Sequence, residues 1–213
     1  MSLNSLPKYL FIFFLFFSVL AIGQEKQKKL KKVGVLFNSA KQNNILFSDH
    51  DYDYKTSVFK AQLFYNLENW GEWDFNLIIQ PQFQIAKHQL LNPYFITSDE
   101  PNYLELRERL TKKRTISLYA FELGFQLKRQ VTRNLFFEAN FGLGAGYIDV
   151  ETERLSQGFT FIENISLGFA YSIKESEIYF GSNLGHVSNL NLLPQNSGYN
   201  LLGFEIGYRI QIK

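Results

Sequence analysis

The chain of 213 residues carries 22 lysines and arginines against 20 aspartates and glutamates, a formal net charge of +2, so its charge balance gives no support to a nucleic-acid partner. It contains no cysteine, which excludes a disulfide framework and a lipid-modified cysteine. Aromatic residues reach 17%, with 22 Phe and 12 Tyr, yet the mean hydropathy is slightly negative at −0.15, so apolar residues must be interleaved with polar ones.

Lys8 precedes an apolar run from Tyr9 to Gly23 that closes with Ala21-Ile22-Gly23, small at the two positions a signal peptidase reads. Residues 1–23 are expected to be a signal peptide cleaved before Gln24, because the run is shorter than the roughly 20 apolar residues of a spanning helix. Residues 24–32, with Lys26, Lys28, Lys29, Lys31 and Lys32, read as a solvated basic tether in the periplasm. Residues 33–213 then form one domain large enough for a single closed sheet.

Period-two alternation dominates that domain, the mark of strands with two chemically different faces. A short strand lies near Val33 to Phe37. Phe59, Ala61, Leu63, Tyr65 and Leu67 alternate with Lys60, Gln62 and Asn66. Trp73, Phe75, Leu77, Ile79, Phe83 and Ile85 then oppose Asp74, Asn76, Gln80, Gln82 and Gln84. Tyr119 to Lys128 follows, and Leu135 to Tyr147 sets its apolar row against Glu138, Asn140, Gly142, Gly144 and Gly146. Those glycines keep strand period, which speaks against a phosphate loop and for interior room. Phe159 to Tyr171, Glu177 to Ser188 and Leu202 to Ile212 complete eight strands.

A soluble barrel with an apolar cavity shows the same period. Three features favour an eight-stranded antiparallel transmembrane up-and-down β-barrel. The polar rows hold Gly, Asn, Gln and isolated charges, which suit a narrow interior filled by side chains. Short turns near Trp70-Gly71, Thr132-Arg133 and Lys174-Glu175 alternate with longer segments near 40–54, 87–113, 151–157 and 190–198, as in barrels of the outer membrane. The chain also ends in Glu205-Ile206-Gly207-Tyr208-Arg209-Ile210-Gln211-Ile212, which looks like the signal read by the barrel assembly machinery. Localisation in the outer membrane of a Gram-negative bacterium follows.

With both chain ends on the periplasmic side, the seventh strand runs outward and ends in Gly185-His186-Val187-Ser188-Asn189. His186 and Ser188 share the apolar parity of Ile178, Phe180 and Leu184, so both are expected to face lipid near the outer leaflet. Residues two apart on one face lie about 6 to 7 Å apart at Cα, within reach for an imidazole to activate a hydroxyl. An interfacial polar pair would have the same spacing.

Together with Pro194, Asn196, Gly198 and Asn200, this run resembles the signature of the lipid A 3-O-deacylase and acyloxyacyl-hydrolase-like family of outer-membrane barrels. The resemblance covers roughly the last 30 residues plus the barrel architecture. It implies an outer-membrane esterase that removes an ester-linked acyl chain from lipid A, with Ser188 as nucleophile, His186 as general base and Asn189 as an oxyanion donor. Two positions depart from the family pattern. Its acidic residue, 14 places after the histidine, is Asn200 here, and Asn191 stands where the motif has glycine. An amide can orient a histidine but does not stabilise imidazolium as a carboxylate does, so a slow enzyme is expected.

Glu163, the one charge in the apolar row of the sixth strand, is a candidate for the missing acid. A tight hairpin at Lys174-Glu175 would put it opposite His186, or, with a register shift of two, opposite Leu184 or Ser188; directly opposite, side chains approach closely enough for a carboxylate to hold the imidazole. The other reading is a glutamate that snorkels toward headgroups. His50 with Asp49, Asp51 and Asp53 reads as a solvated loop, since the spacing matches no complete calcium loop. Tyr94, Phe95 and Tyr103 would cover acyl chains or pack against the rim. No cofactor is implied. The partners are lipid A or lipopolysaccharide as substrate, the outer membrane and the barrel assembly machinery; a homodimer is left open. The alternative to the enzyme is a non-catalytic outer-membrane barrel with a structural or binding role.

Overall fold

The computed structural model describes residues 30–42, 50–195 and 197–212. Eight antiparallel strands pair in sequence order around a closed barrel: β1 (Leu30–Gln42), β2 (Tyr52–Trp70), β3 (Trp73–Leu90), β4 (Arg114–Gln130), β5 (Leu135–Ile148), β6 (Gly158–Ile173), β7 (Ser176–Ser188) and β8 (Tyr199–Gln211). β1 closes on β8 with Val35 opposite Tyr208, so no strand edge is left unpaired. This is the architecture the alternation predicts.

Tight turns join β2 to β3, β4 to β5 and β6 to β7 at one end, and the other end carries the long connections. The strands reach further than the alternation alone indicated. β2, β3 and β4 run past their neighbours at the loop end, where Tyr52 pairs with Leu90 and His88 with Arg114. The segment expected to be irregular from residue 87 therefore begins only after Leu90. It contains a 3-10 turn at Pro93–Phe95 and one short helix, α1 (Tyr103–Leu110).

At the other end β1 begins at Leu30, so residues 30–32 of the expected tether belong to the sheet. Lys32 is half-buried rather than free in solvent: its Nζ lies 2.6 Å from the Glu177 carboxylate. The expected signal peptide 1–23 and residues 24–29 lie outside the described residues.

The two faces divide by polarity in the direction a lipid environment requires. Phe59, Phe121, Phe169, Phe180, Ile206 and Tyr208 point outward and are exposed. Lys60, Gln80, Glu122, Gln126, Glu138 and Arg209 point inward and are buried. An exposed apolar band of this extent marks a membrane surface rather than one made for water.

Inside, charges and amides pair with one another across the barrel. Lys60 Nζ lies 2.9 Å from Glu122, which also accepts from Gln80 (2.7 Å) and Asn164 (2.7 Å). Arg209 donates to both Glu138 oxygens (2.8 and 2.7 Å), and Lys128 reaches Glu177 at 2.6 Å. The space left among Lys60, Gln62, Glu122 and Arg209 is about 20 Å³, room for roughly one water, so the middle of the barrel is filled. Gly142 serves this packing: a Cβ there would overlap the Glu122 carboxylate.

Candidate active site

Strand alternation sets the orientation of the three residues that end β7. His186 and Ser188 face outward, while Val187 between them is buried in the interior cluster. The neighbouring strands fix what stands beside the histidine. In register, His186 lies opposite Glu163 on β6 and opposite Asn200 on β8, and Ser188 lies opposite Phe161.

His186 Nδ1 is 2.7 Å from Asn200 Oδ1. Because that oxygen only accepts, the contact selects the tautomer in which Nδ1 carries the proton and donates it. Nε2 is left with its lone pair, the form in which an imidazole takes a proton from a hydroxyl. Glu163 occupies the expected register position, but its side chain is exposed and makes no ion pair among the described residues. The ring nitrogen an orienting carboxylate would hold is engaged by Asn200.

Ser188 is only 6% exposed. Thr160 Oγ1 donates to its carbonyl at 2.8 Å, which fixes the backbone at the strand end. The described residues after Ser188, 189–195 and 197–198, then pack beside the pair. Gly198 has φ +62°, and a Cβ on it would lie 2.5 Å from the Val187 carbonyl, 3.1 Å from His186 Cε1 and 3.2 Å from Ser188 Cβ. Glycine is thus required both for the backbone conformation and for the close approach.

Asn189 is fully buried, and its Nδ2 donates to the Gln195 carbonyl at 2.7 Å, so this amide braces the loop. Leu190 and Asn191 follow with φ +52° and +59°. Asparagine is among the non-glycine residues that best tolerate this region, which accounts for Asn191 where a glycine was anticipated.

A second loop, 149–157, clamps the first. Arg154 Nε donates to the Gly198 carbonyl (2.6 Å) and Nη2 to the Ser197 carbonyl (3.0 Å), while Gly198 N donates back to the Arg154 carbonyl (3.1 Å). Ser156 N donates to the Gln195 carbonyl (3.2 Å), and Gln195 N donates to Ser156 Oγ (3.0 Å). The Arg154 guanidinium also lies 4.6 Å above the Tyr52 ring.

Beneath the clamp the barrel mouth is closed. Tyr54 and Tyr199 stack with centroids 4.1 Å apart, Gln84 donates to the Tyr199 hydroxyl (3.0 Å), and His88 Nε2 lies 2.7 Å from Glu153 Oε2 with both side chains fully buried.

Sequence reasoning missed Arg154, Ser156, Gln195 and the His88–Glu153 pair. For His88 a signal existed: it continues the even, inward parity of Asn76, Gln80 and Gln84. For the others none did, since they act through backbone carbonyls and contacts 39 to 65 positions away.

The remaining candidates fall elsewhere. Arg107 lies over the rings of Tyr94 and Tyr103 and donates to the Ile96 carbonyl (2.6 Å), and Phe95 packs on Tyr52, so Phe95 and Tyr103 are rim packing, with Tyr94 at its exposed edge. Asp53 pairs with Lys55 (3.0 Å) and Asp51 accepts from Asn92 (2.8 Å). Asp49 lies outside the described residues. No cluster able to hold a metal ion occurs among the described residues.

Residues 59–209 match the family model of the lipid A 3-O-deacylases (PagL), a span that runs from β2 to β8 and includes the whole His186–Ser188 neighbourhood. The chain belongs to the lipid A 3-O-deacylase (PagL) family. Among solved structures, the outer-membrane enzyme PagL matches with a TM-score of 0.50 and 12% identity, covering 85% of this chain and 99% of that one. Neisserial surface protein A matches with a TM-score of 0.49 and 12% identity over 88% of this chain and 100% of its own. At 12% identity the likeness to the enzyme PagL establishes the fold, a closed β-barrel, and membership in the deacylase family rests on the family model. No curated protein sequence matches the chain.

Proposed function

We propose that this chain is an outer-membrane esterase that removes an ester-linked acyl chain from lipid A, with Ser188 as nucleophile and His186 as general base. One observation carries the reading: an outward-facing histidine, held by Asn200 in the tautomer that leaves Nε2 free to accept, two residues from a serine on the same lipid-facing strand. Ser188 Oγ attacks the ester carbonyl as its proton passes to His186 Nε2. The tetrahedral intermediate then collapses, the bond to the sugar oxygen breaks, and the imidazolium returns the proton to that oxygen. Water, deprotonated by the same imidazole, releases the fatty acid from the serine.

Asn189, next after Ser188 in the chain, is the candidate donor to the oxyanion. The orienting group is an amide, so the imidazolium gains less stabilisation than from a carboxylate, and turnover is expected to be slow. The chemistry requires no cofactor.

The test is mass spectrometry of lipid A from a host with fully acylated lipid A that carries the wild-type chain or Ser188→Ala. Loss of one acyl chain with the wild type alone is the expected result. Identical spectra, with both proteins folded in the membrane, would favour a non-catalytic barrel.

A further inference from the structure

Three lysines lie in one row across the outward face at the loop end. Lys41 on β1 is directly opposite Lys55 on β2, which is directly opposite Lys87 on β3. All three side chains are exposed. Like charges placed directly across strands destabilise a sheet, so the row is unfavourable unless an anion offsets it. Within the described residues only Lys55 has an acidic partner, Asp53 at 3.0 Å.

The rows beneath define the height of these cations. Next toward the turn end come Ser39, Ser57 and Ile85, and then the aromatic row Phe37, Phe59 and Phe83, with Phe37 and Phe59 5.2 Å apart. The lysines therefore stand two rows above the aromatic row, at the height where lipid headgroups lie. The small serines leave a groove of about 460 Å³, which the three lysines line together with Leu202 and Phe204 of β8.

That groove adjoins the catalytic row. Lys41 is opposite Leu202, two residues beyond Asn200 on the same face of β8, and Asn200 is opposite His186. Two strand spacings and one side-chain step separate Lys41 from His186, about 10 to 12 Å. A sugar headgroup can bridge that span.

We infer that Lys41, Lys55 and Lys87 form a binding row for the phosphate of a lipid A headgroup, which seats the glycolipid with its ester beside Ser188. The inference rests on the proposed deacylase reading for its choice of lipid. It assigns to the row a role in substrate binding and none in the chemical step. Ammonium groups serve here as point charges on long stems, suited to a phosphate on a fluid lipid.

The experiment uses the full-length protein in nanodiscs, as wild type and as the triple variant K41Q/K55Q/K87Q. Native mass spectrometry measures retention of three probes: phosphorylated lipid A, the same lipid A dephosphorylated, and phosphatidylglycerol. Deacylation is followed in the same samples. The triple variant is expected to bind phosphorylated lipid A about tenfold or more weakly than the wild type, with dephosphorylated lipid A unchanged. Equal binding of phosphorylated and dephosphorylated lipid A by the wild type would overturn the inference, as would equally tight retention of phosphatidylglycerol. Phosphate-selective binding without deacylation would sink the proposed activity and leave the site standing; deacylation without phosphate selectivity would do the reverse.

Discussion

In the proposed mechanism, Asn200 decides how well His186 works as a base. Its Oδ1 holds Nδ1 at 2.7 Å and so fixes the useful tautomer, but it brings no negative charge to offset the imidazolium that would form if Ser188 gave up its proton. In serine proteases the corresponding Asp-to-Asn change costs about 10⁴ in turnover, so Asn200→Asp is expected to raise kcat by about tenfold or more while KM stays within a factor of about two. Initial rates on purified lipid A measure both. Glu163→Gln is expected to leave the rate unchanged, since Glu163 touches no ring nitrogen; a drop of about tenfold or more would give that carboxylate a share in orienting the imidazole. Register made this neighbourhood legible beforehand: the tight turn at Lys174-Glu175 put Glu163 opposite His186, as found. That β8 would bring Asn200 to the other side was implied by the family spacing and by no local feature of the sequence.

The loop that follows Ser188 is tied down by the loop at 149–157. Arg154 makes two hydrogen bonds to carbonyls of residues 197 and 198, and Gly198 sits where even an added Cβ would crowd His186 and Ser188, so a displacement of the loop would be felt by both. Arg154→Ala is expected to speed hydrogen exchange of amides in 189–198 and to lower kcat by about tenfold, while the barrel still migrates as a folded species on a heat-modifiability gel. Unaltered exchange would mean that the Ser156–Gln195 bonds suffice without the arginine. None of this bracing could be read from the sequence. Strand parity is written in every second residue, whereas Arg154 meets its partners 43 and 44 positions away through backbone oxygens that every residue carries. The extension of β2 to β4 was hidden for a related reason. Lys87 and His88 continue the strand alternation, but as charged and polar residues they look like the start of a loop.

The barrel keeps its stabilising polar contacts inside, which leaves the outer face free to carry chemistry against lipid. Glu138 is central to the interior: it accepts two hydrogen bonds from Arg209 and one from Gln126, and Lys128 lies 3.4 Å away, all of them buried. Glu138→Ala would deprive the buried Arg209 guanidinium, enclosed between Phe64 and Tyr179, of both its hydrogen-bonded carboxylate contacts and leave only Glu177 at 4.0 Å. Removing one partner of a buried pair costs roughly 3–5 kcal/mol, so the urea midpoint in detergent should fall sharply, as read from the fluorescence of Trp70 and Trp73 at the turn end. Replacing the outward Phe180 by leucine should move that midpoint little, because it exchanges one lipid-facing apolar group for another. A midpoint unaffected by Glu138→Ala would mean that backbone pairing around the closed sheet holds the barrel alone. In that case the glycines that make room for interior side chains, Gly142 above all, would tolerate alanine as well.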